Sequence, residues 1–168
     1  MANPLWPSFI TAQNLQIESP YLEAMRLDYL NTANFSGLWI SGSITENGIY
    51  AGPNVREVTI QGRIENNFYH GAQFDGSSDI NLTGAWVYRN SLVGSGLKSG
   101  IYLGPQEVIN FTMLGGLAGK ATGTTDYIEL QRYGVDDNAQ RHSKIVGTMM
   151  NGNVIAKTSG AIATVAVP

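Results

Sequence analysis

Cysteine is absent from this 168-residue chain, which excludes a disulfide framework, a thiolate metal site and a cysteine nucleophile. Charge is scarce: 14% of the residues are charged, against about 25% in an ordinary soluble domain. The ten lysines and arginines are scattered, the densest group being Arg141-His142-Ser143-Lys144, and the formal net charge is −3. No basic stripe is offered to phosphates, so nucleic acid is not an expected partner. No run approaches the roughly 18 apolar residues of a membrane span. The segment from Met1 to Pro7 lacks the positive charge and apolar stretch of a secretory signal. No membrane partner is expected.

Glycine and asparagine are in excess. Glycine accounts for 20 of 168 residues, where about 7% is usual, and asparagine occurs fourteen times. A chain poor in Lys and Glu but rich in Gly, Asn, Ser and Thr disfavours helical bundles and favours short strands joined by tight turns.

The chain repeats. Gly48 to Pro53 reads G-I-Y-A-G-P and is followed by Val58-Thr59-Ile60-Gln61-Gly62 and Ile64-Glu65-Asn66-Asn67. A second copy runs Gly71-Ala72-Gln73-Phe74-Asp75-Gly76, then Ile80-Asn81-Leu82-Thr83-Gly84, then Val87-Tyr88-Arg89-Asn90. A third runs G-I-Y-L-G-P from Gly100 to Pro105, then Ile109-Asn110-Phe111-Thr112, with its glycine delayed to Gly115. Leu38-Trp39-Ile40-Ser41-Gly42 fits upstream, and Ile128-Glu129-Leu130 and Ile145-Val146-Gly147 fit loosely downstream. The first apolar positions fall at 38, 58, 80, 109, 128 and 145. A period near twenty marks a solenoid whose units cannot bury their apolar faces alone. Within each unit apolar residues alternate with Thr, Asn and Gln, a strand period, and the trailing glycines mark corners.

The combination of V-x-I-x-G, a following I-x-N-N and the G-I-x-x-G turn resembles the right-handed parallel β-helix of the pectate-lyase-like superfamily. That group includes polysaccharide lyases, polygalacturonases and the spikes of tailed bacteriophages, and the last are closest in character to this chain. The resemblance covers about residues 37 to 155. It implies an all-β fold, a right-handed parallel β-helix of about six short coils, with a lateral loop from Ser91 to Ser99. Stacked amides from Asn66, Asn67, Asn90, Asn151 and Asn153 would satisfy the bent backbone inside such a coil.

Residues 1–18 read as an N-terminal arm that docks on other virion proteins. Residues 19–36 read as a capping helix, with Ser19 as N-cap, Pro20 in the first turn and Tyr21, Leu22, Met25, Tyr29 and Leu30 at helical spacing. An extra coil is the rival there, because Leu15-Gln16-Ile17 also alternates. By the resemblance, residues 37–155 would form the β-helix. Residues 156–168 end in an almost unbroken apolar strand, whose Ile162, Val165 and Val167 are candidates for a subunit interface. Resemblance to phage spikes makes that assembly a homotrimer.

Enzymes on the resembled fold use clustered carboxylates. Asp136-Asp137 could evoke the paired aspartates of polygalacturonases, but the companion Asn-Thr-Asp, Gly-His-Gly and Arg-Ile-Lys elements are missing, so a turn or loop is expected over Gly134–Asn138. Glu46, Glu65, Asp75, Asp79 and Glu107 fall at repeat-related positions. His70 and His142 are isolated, and neither a metal nor a cofactor is expected. Aromatic residues carry the better signal. With Ile49 and Ile101 inward, Tyr50 and Tyr102 point outward with Gln73 between them, and Trp39, Trp86 and Tyr88 lie near strand centres. Such a row suits either a glycan surface or a subunit interface. The expected role is a structural virion protein of a tailed phage or phage-like particle: a spike, fibre or decoration subunit with host surface polysaccharide as a further contact. A polysaccharide lyase or glycoside hydrolase and a carbohydrate-binding module are the alternatives.

Overall fold

A computed structural model of the protein describes residues 9–120, 127–138, 143–159 and 165–166. The described chain is all β, with no helix among the described residues. Strands β1 (Ile10–Gln13), β2 (Gln16–Glu18), β3 (Met25–Leu30), β4 (Ala33–Ser41) and the long β5 (Ile49–Glu65) come first. They are followed by β6 (Ala72–Phe74), β7 (Ser78–Thr83), β8 (Trp86–Tyr88), β9 (Ile101–Leu103) and β10 (Thr112–Leu114). The remainder are β11 (Leu117–Ala118), β12 (Tyr133–Asp137), β13 (Lys144–Val146), β14 (Ala156–Ser159) and β15 (Val165–Ala166).

Every strand-to-strand pairing is parallel, each strand pairing with one about a repeat away, so the sheet curls and its passes stack. Three ladders result. In the first, Ala12, Phe35, Ile60, Leu82, Met113, Ile145 and Val165 stack in register. In the second, Ile17, Ile40, Ile64, Val87 and Ala118 do so. In the third, Met25, Ile49, Ala72, Ile101 and Val135 line up. Members of all three ladders meet in one buried apolar core. The period-two alternation read from the sequence is the cause, because it sends one set of side chains into that core at every pass.

Corners between ladders recur at equivalent places and take left-handed backbone. Asn14, Gly37, Gly84, Gly115 and Gly147 turn the first corner, and Ser19, Gly42, Asn66, Arg89 and Gly152 the second. Glu57, Asp79 and Asn110 turn the third. Asparagine and glycine tolerate this conformation best, which explains part of their excess.

Asparagine also satisfies the interior of the second corner. The Asn67 amide donates to Asn90 Oδ1 (2.8 Å), Asn90 Nδ2 donates to Gln131 Oε1 (2.7 Å), and Gln131 Nε2 donates to Asn153 Oδ1 (3.2 Å). Backbone joins the ladder where Ser43 N–H donates to Asn67 Oδ1 (3.1 Å) and Asn90 Nδ2 donates to the Ile64 carbonyl (3.2 Å). Asn67, Asn90 and Gln131 are fully buried, so each missing partner would leave a desolvated polar group.

Four expectations change. No helix follows Ser19: that residue sits at a corner with φ of 51°, and Met25–Leu30 is a strand paired with β5. Of the side chains at helical spacing, Tyr21 (71%), Leu22 and Tyr29 (57%) are exposed, while Met25 and Leu30 are buried. Just upstream, Ile17 pairs in register with Ile40. Second, the third repeat is displaced by two residues: Thr112, not Asn110, pairs with Asn81, and Ile109 is left 45% exposed. The displacement keeps the inward parity, so Phe111 and Met113 still fill the core. Third, Leu38-Trp39-Ile40 belongs with Gly62-Arg63-Ile64 rather than with Val58-Thr59-Ile60. Fourth, Gly134–Asp137 lies in β12 rather than in a turn, and Ile128-Glu129-Leu130 is not a strand. Residues 91–99 lie outside strands, as the loop expectation has it.

Replacing Asn90 with Leu should destabilise the protein by about 2–4 kcal/mol, because the Asn67 amide, the Ile64 carbonyl and Gln131 all lose a buried partner. The control Asn34→Ala, in an exposed position, should stay within about 0.5 kcal/mol. Urea unfolding of the two variants measures the difference, and equal small losses would refute the structural role of the ladder.

Candidate functional site

Outward-facing positions stack in register just as inward ones do, and two of the resulting columns carry the aromatic residues singled out by the sequence. Along the third ladder, Arg26, Tyr50, Gln73, Tyr102, Asp136 and Ser159 are neighbours in sequence of pairing. Tyr50, Gln73 and Tyr102 are thus brought side by side. The Arg26 guanidinium lies 4.6 Å from the Tyr50 ring centre and pairs with Glu23 (3.2 Å) and Asp28 (3.0 Å). Burial, with the Asp75 charge adding to it, raises the Tyr50 phenol above its ordinary range; burial and Asp136 raise Tyr102. Both phenols are protonated at neutral pH.

His70 backs this column. Its ring stacks on Tyr102 with centres 4.7 Å apart and planes 14° apart. Nδ1 accepts a hydrogen bond from the Ser99 N–H (3.0 Å), and the His70 N–H donates to Asn47 Oδ1 (3.1 Å). Burial and the Lys98 charge push its imidazole down to about 3. Asp136 accepts from the Ser99 hydroxyl (3.1 Å) and from the Ser159 hydroxyl. Asn138 Nδ2 donates to the Tyr102 hydroxyl (3.2 Å). The column is held by internal partners along its length.

Along the second ladder, Gln16, Trp39, Arg63 and Trp86 are neighbours. The Arg63 guanidinium carbon stands 6.0 Å from the Trp39 ring centre and 5.7 Å from that of Trp86. Trp39 Nε1 donates to Glu65 Oε1 (2.9 Å), which orients that indole. Trp86 is 43% exposed. Tyr88 is 8% exposed and packs near Tyr127, with ring centres 5.3 Å apart. Burial and a hydrogen bond with Glu65 raise its phenol well above the usual range. Tyr88 is therefore covered and adds no exposed surface to the column.

An open depression of about 420 Å³ runs beside Arg63 and Trp86, lined also by Gly37, Gln61, Gly62 and Gly84. Its floor is the first corner. Gly84 has φ of 61°, and a Cβ added there would meet nothing within 4 Å, so the glycine leaves open space above the backbone. A Cβ at Gly62 would instead run into the Leu38 carbonyl oxygen of the preceding pass.

Three of the carboxylates flagged by spacing serve separate partners. Glu65 serves Trp39 and Asn66, Asp75 accepts from the Gln106 N–H (2.8 Å), and Asp79 accepts from Asn110 at the third corner (2.9 Å). No group of three His, Asp or Glu able to hold a metal occurs among the described residues. Asp136 faces outward in the tyrosine column, whereas Asp137 is buried. His142, Ile162 and Val167 lie outside the described residues, and Val165 is described only by its backbone pairing with Ile145.

Sequence reasoning missed Glu129 and Gln131. The buried Glu129 carboxylate accepts from the N–H groups of Arg89 (2.9 Å), Leu130 (2.9 Å) and Gln131 (3.1 Å). Its pKa is raised by burial against the lowering effect of those bonds. No spacing signal connects it to Arg89, forty positions away. No protein-family model, curated protein or solved structure matches the chain.

The His70 environment sets a pH dependence. The unfolded imidazole titrates near 6.5 and the folded one near 3, so between these values the unfolded chain holds the extra proton. Stability is therefore full above about pH 6.5 and falls with decreasing pH by up to about 1.4 kcal/mol per unit. Glu129, whose folded pKa is raised, acts in the opposite sense, so the comparison must be with a variant. His70→Gln should flatten the stability curve between pH 6.5 and about pH 4. Parallel wild-type and variant curves in urea unfolding would contradict the buried neutral histidine.

Proposed function

We propose that the curled parallel sheet is a short right-handed parallel β-helix, and that the protein is a structural virion component of a tailed phage or phage-like particle. It would be a spike, fibre or decoration subunit, assembled as a homotrimer on the virion surface and attached to other virion proteins through its N-terminal segment. One observation carries this reading: inward columns stay in register from β1 to β13 and are filled with apolar side chains and an amide ladder. Such a body is stiff and repetitive. Its side-chain chemistry is committed to holding shape, which suits a load-bearing part better than a catalyst.

The two outward aromatic columns support a division of labour. Tyr50, Gln73 and Tyr102 form a flat, internally braced strip suited to contact with a neighbouring subunit, where tyrosine is favoured. Arg63 and Trp86, which line the open depression, favour a second reading, contact with host surface polysaccharide in the manner of a carbohydrate-binding module.

Sedimentation of the intact protein tests the assembly. A trimer has three times the 18.1 kDa chain mass, about 54 kDa, and should survive as a heat-resistant band. Deleting Gly160–Pro168 should release monomers. An intact chain that sediments at the monomer mass would overturn the proposed assembly.

A further inference from the structure

We infer that the loop side of the stack, between the second and third ladders, is an interface on which a second copy of this chain docks upside down, about a two-fold axis through the middle of the face. The contact goes beyond the proposed trimer, since it uses neither the tyrosine strip nor the C-terminal segment.

Among the described residues the chain crosses this side in six passes: 19–24, 42–48, 66–71, 89–100, 127–132 and 152–155. Backbone hydrogen bonds tie the passes together. The Ile44 N–H donates to the Pro20 carbonyl (2.9 Å), Phe68 to Ser43 (3.1 Å) and Val93 to Phe68 (2.9 Å). Further along, Gly96 donates to Leu130 (2.8 Å) and Val154 to Gln131 (2.8 Å). The loops form one continuous, pre-organised face.

That face is apolar. Of the fifteen exposed large hydrophobic side chains among the described residues, eight lie on it, each 44–79% exposed. Large side chains carry roughly 150–250 Å² apiece, so these eight present about 800 Å², the share each partner contributes to a standard interface. A patch of that size is more than monomers ordinarily leave to water.

Its layout is self-complementary when reversed. An upside-down copy sets the first pass against the sixth, so Tyr21 and Leu22 meet Val154 and Ile155, a pair of exposed apolar residues at each end. The second pass meets the fifth, one exposed isoleucine on each, Ile44 and Ile128. At the centre, the half-buried Phe68 and Tyr69 meet the exposed Leu92 and Leu97. A two-fold interface demands this kind of self-matching.

Charge fixes the same orientation. Glu46 is on the second pass and Arg132 on the fifth, and neither has an ion-pair partner within 4.0 Å among the described residues. Reversal brings them together. The other charges of the face are engaged within the chain: Glu23 with Arg26, Lys98 over the Tyr69 ring, Arg89 over the Tyr127 ring, and Glu129 with backbone N–H groups. A copy in the same sense, as in a trimer, would set Glu46 level with Glu46 and Arg132 level with Arg132, where like charges repel. Exposed charge pairs add little affinity, so the contact should form at micromolar concentration and above, and dilute protein should show the smaller assembly.

The cysteine-free chain allows a direct test. Ile44→Cys and Ile128→Cys, both at exposed positions, are prepared separately, checked by circular dichroism and oxidised alone or mixed. Neither variant alone should crosslink, whereas the mixture should give a disulfide-linked pair at twice the chain mass. Sedimentation over a concentration series should show association weakened at least about tenfold by Leu97→Asp. Glu46→Lys should weaken it too, and adding Arg132→Glu to Glu46→Lys should restore it. Self-crosslinking of each variant would mean that copies pack in the same sense, and would overturn the inference. So would a mixture that stays unlinked, which would leave the face to a different protein. An unlinked mixture in a trimeric protein refutes this contact and leaves the trimer standing, while a crosslinking mixture that forms no trimer does the reverse.

Discussion

Parallel strands that stack in register place each side chain about 4.8 Å from its counterpart in the passes before and after. Like therefore falls on like, and the chain must choose residue types that tolerate their own company. Aliphatic side chains do so in the core, where Ile49, Ala72, Ile101 and Val135 follow one another. Charges do not: two like charges at this spacing repel by roughly 1 kcal/mol even in water. The outward column Thr11, Asn34, Thr59, Asn81, Thr112 and Lys144 accordingly contains one charge in six positions. The shortage of charged residues follows from the stacking itself.

The same rule governs the polar interior. A buried amide carries both donors and acceptors, so Asn67, Asn90, Gln131 and Asn153 satisfy one another end to end. A carboxylate cannot repeat in this way. Glu129 instead occurs once and is held by backbone N–H groups. The second corner thus combines an outer row of left-handed residues with an inner row of amides, and both rows draw on asparagine.

Much of this was legible in the sequence, because stacking writes its own period. Alternating apolar residues identified the strands, the glycines after them identified corners, and the matching G-I-Y-x-G-P segments placed Tyr50, Gln73 and Tyr102 in one column. The failures have physical causes. Around residues 19–36 the exposed Tyr21, Leu22 and Tyr29 mimic helical spacing, while too few alternating positions remain to reveal β3. At Ile109 a shift of two residues preserves parity, so alternation alone cannot detect it. Gln131 and Glu129 act on residues about forty positions away, beyond any local pattern. The depression beside Trp86 was also hidden, since it arises only when Gly37, Gly62 and Gly84 stand beside the Trp39–Arg63–Trp86 column.

Function inherits the same geometry. A surface built of repeated columns presents the same chemistry at regular intervals, as a guanidinium between two indoles shows. All of it depends on the register, which the cysteine-free chain allows to be tested by paired cysteine substitutions. The protein carrying Asn81→Cys with Thr112→Cys should form an intramolecular disulfide readily, because these residues are direct partners and their Cα atoms fall within bonding range. The protein carrying Asn81→Cys with Asn110→Cys, two residues out of step, should not. Rapid crosslinking of the second pair and none of the first would contradict the stacking on which this account rests.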